Sequence, residues 1–134
     1  MSFISRNDCL LLMLDDHFLN NRCDLISISD TNKEKSLMKK YWLQRKSDEN
    51  AAIFLNFKDI EGVESGFTDA KAGAIIRFVE ETFKKKKDLV VHCFAGVSRS
   101  GAVAKWVSDH YMLMDSYLSE YKGYNVHVYC VLEE

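Results

Sequence analysis

The sequence predicts an α/β fold, a central, mostly parallel sheet of about four strands flanked by helices. Three observations carry that expectation. Apolar runs of strand length at residues 24–29, 51–57 and 88–92 alternate with segments of helical period. The run at 88–92 passes through a short loop straight into another helical pattern, as a strand–loop–helix unit does. The chain of 134 residues is long enough for one core and too short for two, so residues 1–134 are expected to form a single domain.

Each element can be justified in turn. Phe3 and Ile4 open a short strand, and Ser5 or Asn7 can cap the helix expected from residue 8 to about 19. Leu11, Leu12, Leu14 and Phe18 would make that helix largely buried, with Cys9 in the core and His17 in a surface or capping role. Residues 24–29, Asp-Leu-Ile-Ser-Ile-Ser, alternate with period two and read as a strand. The polar run 30–40 reads as a loop leading into a turn of helix around 37–43. Its lysines are better explained as a solvated face than as a docking patch.

Residues 51–57 form the next strand, and Lys58 to Gly62 leave it as a loop. Thr68 caps an amphipathic helix from 69 to about 85, with Ala72, Ile75, Ile76, Val79 and Phe83 on its inner face. The basic run 84–87 sits where the helix macrodipole favours cations. The strand 88–92 follows, then a helix from 101 to about 114 with Ala102, Val103, Trp106 and Val107 inward. Residues 125–132 read as a short closing helix, although the alternating valines would also suit a strand.

Composition removes several function classes. Eighteen Lys and Arg against 20 Asp and Glu leave a formal charge of −2, so no global basic field points to nucleic acid or an anionic membrane. Residues 10–14 are apolar but too short to span a bilayer, and Asp15 and Asp16 interrupt them. Cys9, Cys23, Cys93 and Cys130 lack metal-like pairing. They are expected to be free thiols in a soluble, intracellular, cytoplasmic protein. No metal or organic cofactor is implied, and the sequence carries no signal of oligomeric state.

The chemistry concentrates in His92-Cys93-Phe94-Ala95-Gly96-Val97-Ser98-Arg99-Ser100-Gly101. A cysteine at a strand's end can be held rigidly at the floor of a cleft. The backbone N–H groups of Phe94, Ala95, Gly96, Val97, Ser98 and Arg99, curling round a tetrahedral anion, can then point at its oxygens. A helix beginning near Ser98 or Arg99 adds its positive end. Arg99, six positions after the cysteine, offers a planar fork that can take two oxygens at once. The same surroundings favour the thiolate over the thiol. Gly96 permits a positive φ or a close backbone approach, Gly101 lets the exit helix pack closely, and Ser98 shapes the loop or caps the helix.

These ten residues resemble the HCxxGxSRSG loop of the cysteine-dependent protein tyrosine phosphatases, in their compact dual-specificity branch. The resemblance implies a protein-tyrosine-phosphatase-like fold and a phosphorylated protein substrate, phosphotyrosine with phosphoserine or phosphothreonine also open. It implies that Cys93 is the nucleophile, that Arg99 binds phosphate, that His92 supports the thiolate and that Ser100 assists its release from the phosphocysteine intermediate.

A general acid is also needed near the mouth. Asp59 is the choice, just past a strand end and thirty-four residues before the cysteine. Family members similarly carry the acid on the loop after the preceding strand, although the Trp-Pro-Asp tripeptide is replaced here by Phe57-Lys58-Asp59. Asp69, at a helix start, competes with it, as do Glu61 and Glu64 on the same loop. Alternatives of other classes are a silent phosphate-binding module and a sulfur-transfer or arsenate-reducing enzyme. The relatives of that last kind carry their cysteine near the N-terminus. A phosphatase for RNA or phosphoinositide would tend to place basic residues where Phe94, Ala95 and Val97 stand. A protective disulfide between Cys93 and Cys9, Cys23 or Cys130 is a further expectation open to test.

Overall fold

A computed structural model describes residues 1–13, 23–44, 50–111 and 116–134. Its strands are β1 (Ser2–Ser5), β2 (Cys23–Ser29), β3 (Ala52–Asn56) and β4 (Asp88–Cys93). Its helices are α1 (Arg6–Met13), α2 (Asn32–Leu43), α3 (Asp69–Lys84), α4 (Arg99–His110), α5 (Ser116–Ser119) and α6 (Val126–Glu133), with one 3-10 turn at Val63–Ser65. The strands pair in the order β1-β4-β2-β3 and every pairing is parallel, as the sequence predicts.

Period two decides which residues meet which helices. Leu25 and Val90 face Cys9, Met13 and Met38, so α1 and α2 cover one side of the sheet. Ile26, Ile28, Leu89 and Val91 face the other way, against Ala72, Ile75 and Val79 of α3, Val103, Trp106 and Val107 of α4, and Val128 and Leu132 of α6. All seven residues of β2 are buried, since the strand is central and covered on both faces.

Several boundaries differ from expectation for identifiable reasons. The polar run after β2 is not a loop but the first half of the twelve-residue α2. Thr31 caps it by accepting from the Glu34 amide, and Glu34 reaches back to the Asp30 amide, a close relative of the capping box. Helix α1 starts two residues earlier than expected, with Ser5 rather than Asn7 accepting the Asp8 amide. Its inner face is Cys9 and Met13, four apart, which turns Leu11 outward to 66% exposure. The expected continuation of that helix, with Leu14, His17 and Phe18, lies outside the described residues, as does the end of α4 near Met114. Helix α3 keeps its Thr68 cap, although Ile76 and Phe83 are only partly buried. No helix among the described residues is long and apolar enough to cross a membrane.

Candidate active site

The parallel topology sends every strand's carboxyl end to the same edge, where ligands of open α/β sheets bind. Four connections start there. Arg6 follows β1, Asp30 follows β2, Phe57 to Asp59 follow β3, and the loop from Cys93 follows β4. In-register neighbours Ser5 and Cys93, and Ser29 and Asn56, bring these ends level.

Cys93 lies buried at the end of β4, its sulfur 3.2 Å from the Ser100 hydroxyl. Burial pushes the thiol up. The Ser100 hydroxyl and the amides of Ser100, Val97 and Gly96 together outweigh it and hold Cys93 below the ordinary thiol range. The loop can curl this tightly because Gly96 adopts φ +73°, and a Cβ there would collide with the backbone of Ile4 and Ser5. Phe94 is anchored by its carbonyl, which accepts the Arg6 amide at 3.2 Å, and the Arg6 guanidinium lies 4.7 Å over its ring. Tyr121 donates to the Val97 carbonyl at 2.8 Å. Its ring fills the space over Gly101, where a Cβ would meet it at 2.6 Å.

Arg99 opens α4 and is 4% exposed. Its Nη1 donates to the Asp30 carboxylate and, at 2.8 Å, to the Phe57 carbonyl, which fixes the guanidinium beneath the loop. Its Nε–H is buried without a hydrogen-bond partner among the described residues. His92 is fully buried, with Nε2 2.6 Å from the Ser27 hydroxyl and Nδ1 3.4 Å from the Cys93 carbonyl. Burial pushes its pKa down to about 4; the contact with the Cys93 carbonyl opposes this, and the charges of Arg6 and Arg99 add to the fall. The imidazole is therefore neutral at pH 7, a polar strut between β2 and the base of the loop.

Of the acid candidates, Asp59 meets the Cys93 loop directly. Its Oδ1 accepts from the Ser98 hydroxyl at 2.7 Å and from Asn125 Nδ2 at 2.9 Å. Ser98 makes no side-chain cap to α4, contrary to one expectation, because its hydroxyl is spent on Asp59. Asp69 stays in the first turn of α3 behind its Thr68 cap, where the dipole explains it. Glu61 accepts the His127 amide at 2.8 Å, and Glu64 lies in the 3-10 turn. Sequence reasoning missed Asp30, Ser27, Arg6, Tyr121 and Asn125 as members of this neighbourhood. Only Asn125 left a trace, as a capping residue type just before a helical segment.

A parallel sheet ends in a buried cysteine, with an arginine six residues on at a helix start, and its fold is like that of one structural class, the protein tyrosine phosphatases. Solved structures of that class superpose on the chain. Cydia pomonella PTP-2 phosphatase matches with a TM-score of 0.59 at 17% identity, over 98% of this chain and 82% of its own. Tk-PTP in its active form gives 0.58 at 16%, over 98% and 75%. PTPMT1 gives 0.55 at 16%, over 98% and 85%. No protein-family model and no curated protein matches by sequence. What the chain shares with these structures at such identities is the fold, and the fold expected from His92 to Gly101 is the one observed.

Proposed function

We propose that residues 1–134 form one phosphatase domain that hydrolyses phosphotyrosine in proteins, with phosphoserine and phosphothreonine also accepted, through a cysteinyl-phosphate intermediate. One observation carries the reading. The Cys93 sulfur is drawn towards its thiolate by the same loop amides that would hold a phosphoryl group, above an arginine whose Nε–H is still available. The apolar loop side chains Phe94, Ala95 and Val97 suit an aryl phosphate better than a polyanion.

The chemistry proceeds in two displacements. The Cys93 sulfur pair attacks phosphorus while the phosphorus–oxygen ester bond breaks, and the departing oxygen takes a proton from Asp59. Loop amides and Arg99 neutralise the equatorial oxygens throughout. Water then attacks phosphorus, giving its proton to ionised Asp59, as the phosphorus–sulfur bond breaks. The Ser100 hydroxyl, 3.2 Å from the sulfur, donates to the returning thiolate. No cofactor takes part, and a reducing intracellular compartment keeps the nucleophile free.

The test is hydrolysis of p-nitrophenyl phosphate and of a phosphopeptide panel. Cys93→Ser is expected to leave no measurable turnover of either, and Asp59→Ala to lower turnover of the phosphopeptides, whose leaving groups need a proton, by about 10²–10⁴. Full activity in the cysteine variant would refute the reading, and the panel ranks phosphotyrosine against the other two.

A further inference from the structure

The segment after Tyr121 carries no motif, yet its Asn125 is buried at the junction of the two loops on which the proposed reaction depends. Every polar group of that residue is committed, its carbonyl accepting the Tyr129 amide at 3.2 Å. Its backbone N–H donates to the Ser98 carbonyl at 3.0 Å. Its Oδ1 accepts the Val128 amide at 3.1 Å and so caps α6. Its Nδ2 donates to Asp59 Oδ1 at 2.9 Å, with the Ile60 carbonyl at 3.4 Å. The amide cannot be reversed, because that would set its oxygen against the carboxylate and its NH₂ against the Val128 amide. Two residues further on, the His127 amide holds Glu61, so the start of α6 grips the acid loop at a second point.

We infer that Asn125 is the positioning residue for the general acid, fastening the Asp59 loop to the Cys93 loop through the first turn of α6. The inference rests on the phosphatase reading above. Both donors to Asp59, Ser98 Oγ and Asn125 Nδ2, fall on Oδ1. With that oxygen pinned, Oδ2 is the one that carries the proton and faces the leaving group. Without Asn125 the carboxyl keeps only an exposed serine hydroxyl, and protonation of the departing oxygen loses its geometry while phosphate binding does not.

The signature is dependence on the leaving group. Asn125→Ser and Asn125→Asp both retain an oxygen able to cap α6, and neither can donate to Asp59 as the amide does. For each, kcat/KM on phenyl phosphate, whose leaving group needs the proton, is expected to fall about 10- to 100-fold. On p-nitrophenyl phosphate, whose leaving group departs readily as its anion, the change should stay within about threefold. Asp59→Asn is measured in parallel. If it shows the leaving-group dependence and both Asn125 variants do not, or if those variants lose equally on both substrates, the positioning role is overturned and the phosphatase reading stands. If Asp59→Asn itself shows no such dependence, the acid assignment falls and the role of Asn125 falls with it.

Discussion

The two ends of the sheet both bury a charged side chain, and they treat it differently. At the amino end Asp24, 2% exposed, accepts from the Thr82 hydroxyl at 2.7 Å, the Ala51 amide at 2.9 Å and Lys87 at 3.2 Å. Beside it Asn50 donates to the Cys23 carbonyl at 2.6 Å. The donors come from α3, from the approach to β3 and from the basic run before β4, so the charge locks three connections together. At the carboxyl end Arg99 is tied by one nitrogen to Asp30 and Phe57, while its Nε–H is unmatched among the described residues. A buried donor without an internal partner costs stability, about 1–3 kcal/mol. The amino end spends its polar groups on holding the chain together. The carboxyl end leaves the Arg99 Nε–H and the Ser29 hydroxyl without partners among the described residues, and the proposed function gives the first of them a ligand.

That contrast predicts a double dissociation. Arg99→Lys keeps the charge but loses the fork, and kcat/KM for an aryl phosphate should fall by about 10²–10³ with little change in urea midpoint. Asp24→Ala should do the reverse, lowering unfolding free energy by about 3 kcal/mol, since Lys87 and Thr82 lose their acceptor. The turnover of the folded fraction should be unchanged. Urea titration and initial rates on both variants decide the matter, and an exchange of the two outcomes would erase the distinction between the ends.

His92, the last residue but one of β4 and so at the carboxyl end, offers a finer measurement. Its pKa is about 4 in the folded protein against an ordinary 6.5, so between those values the unfolded chain binds the extra proton. Its contribution is complete above about pH 6.5 and is lost as pH falls towards 4, amounting to about 3 kcal/mol at most. Urea unfolding from pH 7 to 4 should show that slope in the wild type and a shallower one in His92→Asn. Equal slopes would mean that the buried imidazole is not the titrating group.

How much of this was legible in the chain follows from how local each cause is. The strands and the loop from His92 to Gly101 are written in consecutive residues, so composition and spacing suffice. Helix α2 was misjudged because a lysine-rich face looks like a loop, although Thr31 and Glu34 stood at capping-box spacing. The leucines of α1 announced a helix but not which of its faces the sheet would cover, and Leu11 turned outward. The partners of the site lie beyond any local pattern. Asp30 meets Arg99 across 69 residues of chain, and Asn125 meets Asp59 across 66. Asp59 itself could be singled out because strand ends converge at one edge of a parallel sheet and because the resembling family carries its acid on the equivalent loop.

The ring of Tyr121 over Gly101 bears on how such a chain can change through descent. Each position bears on the other. A methyl at 101 would strike the ring at 2.6 Å, and removing the ring would leave the Val97 carbonyl without its 2.8 Å donor. A homologue with a larger residue in place of Gly101 would have to move the ring at 121 or replace it, although twenty residues separate the two.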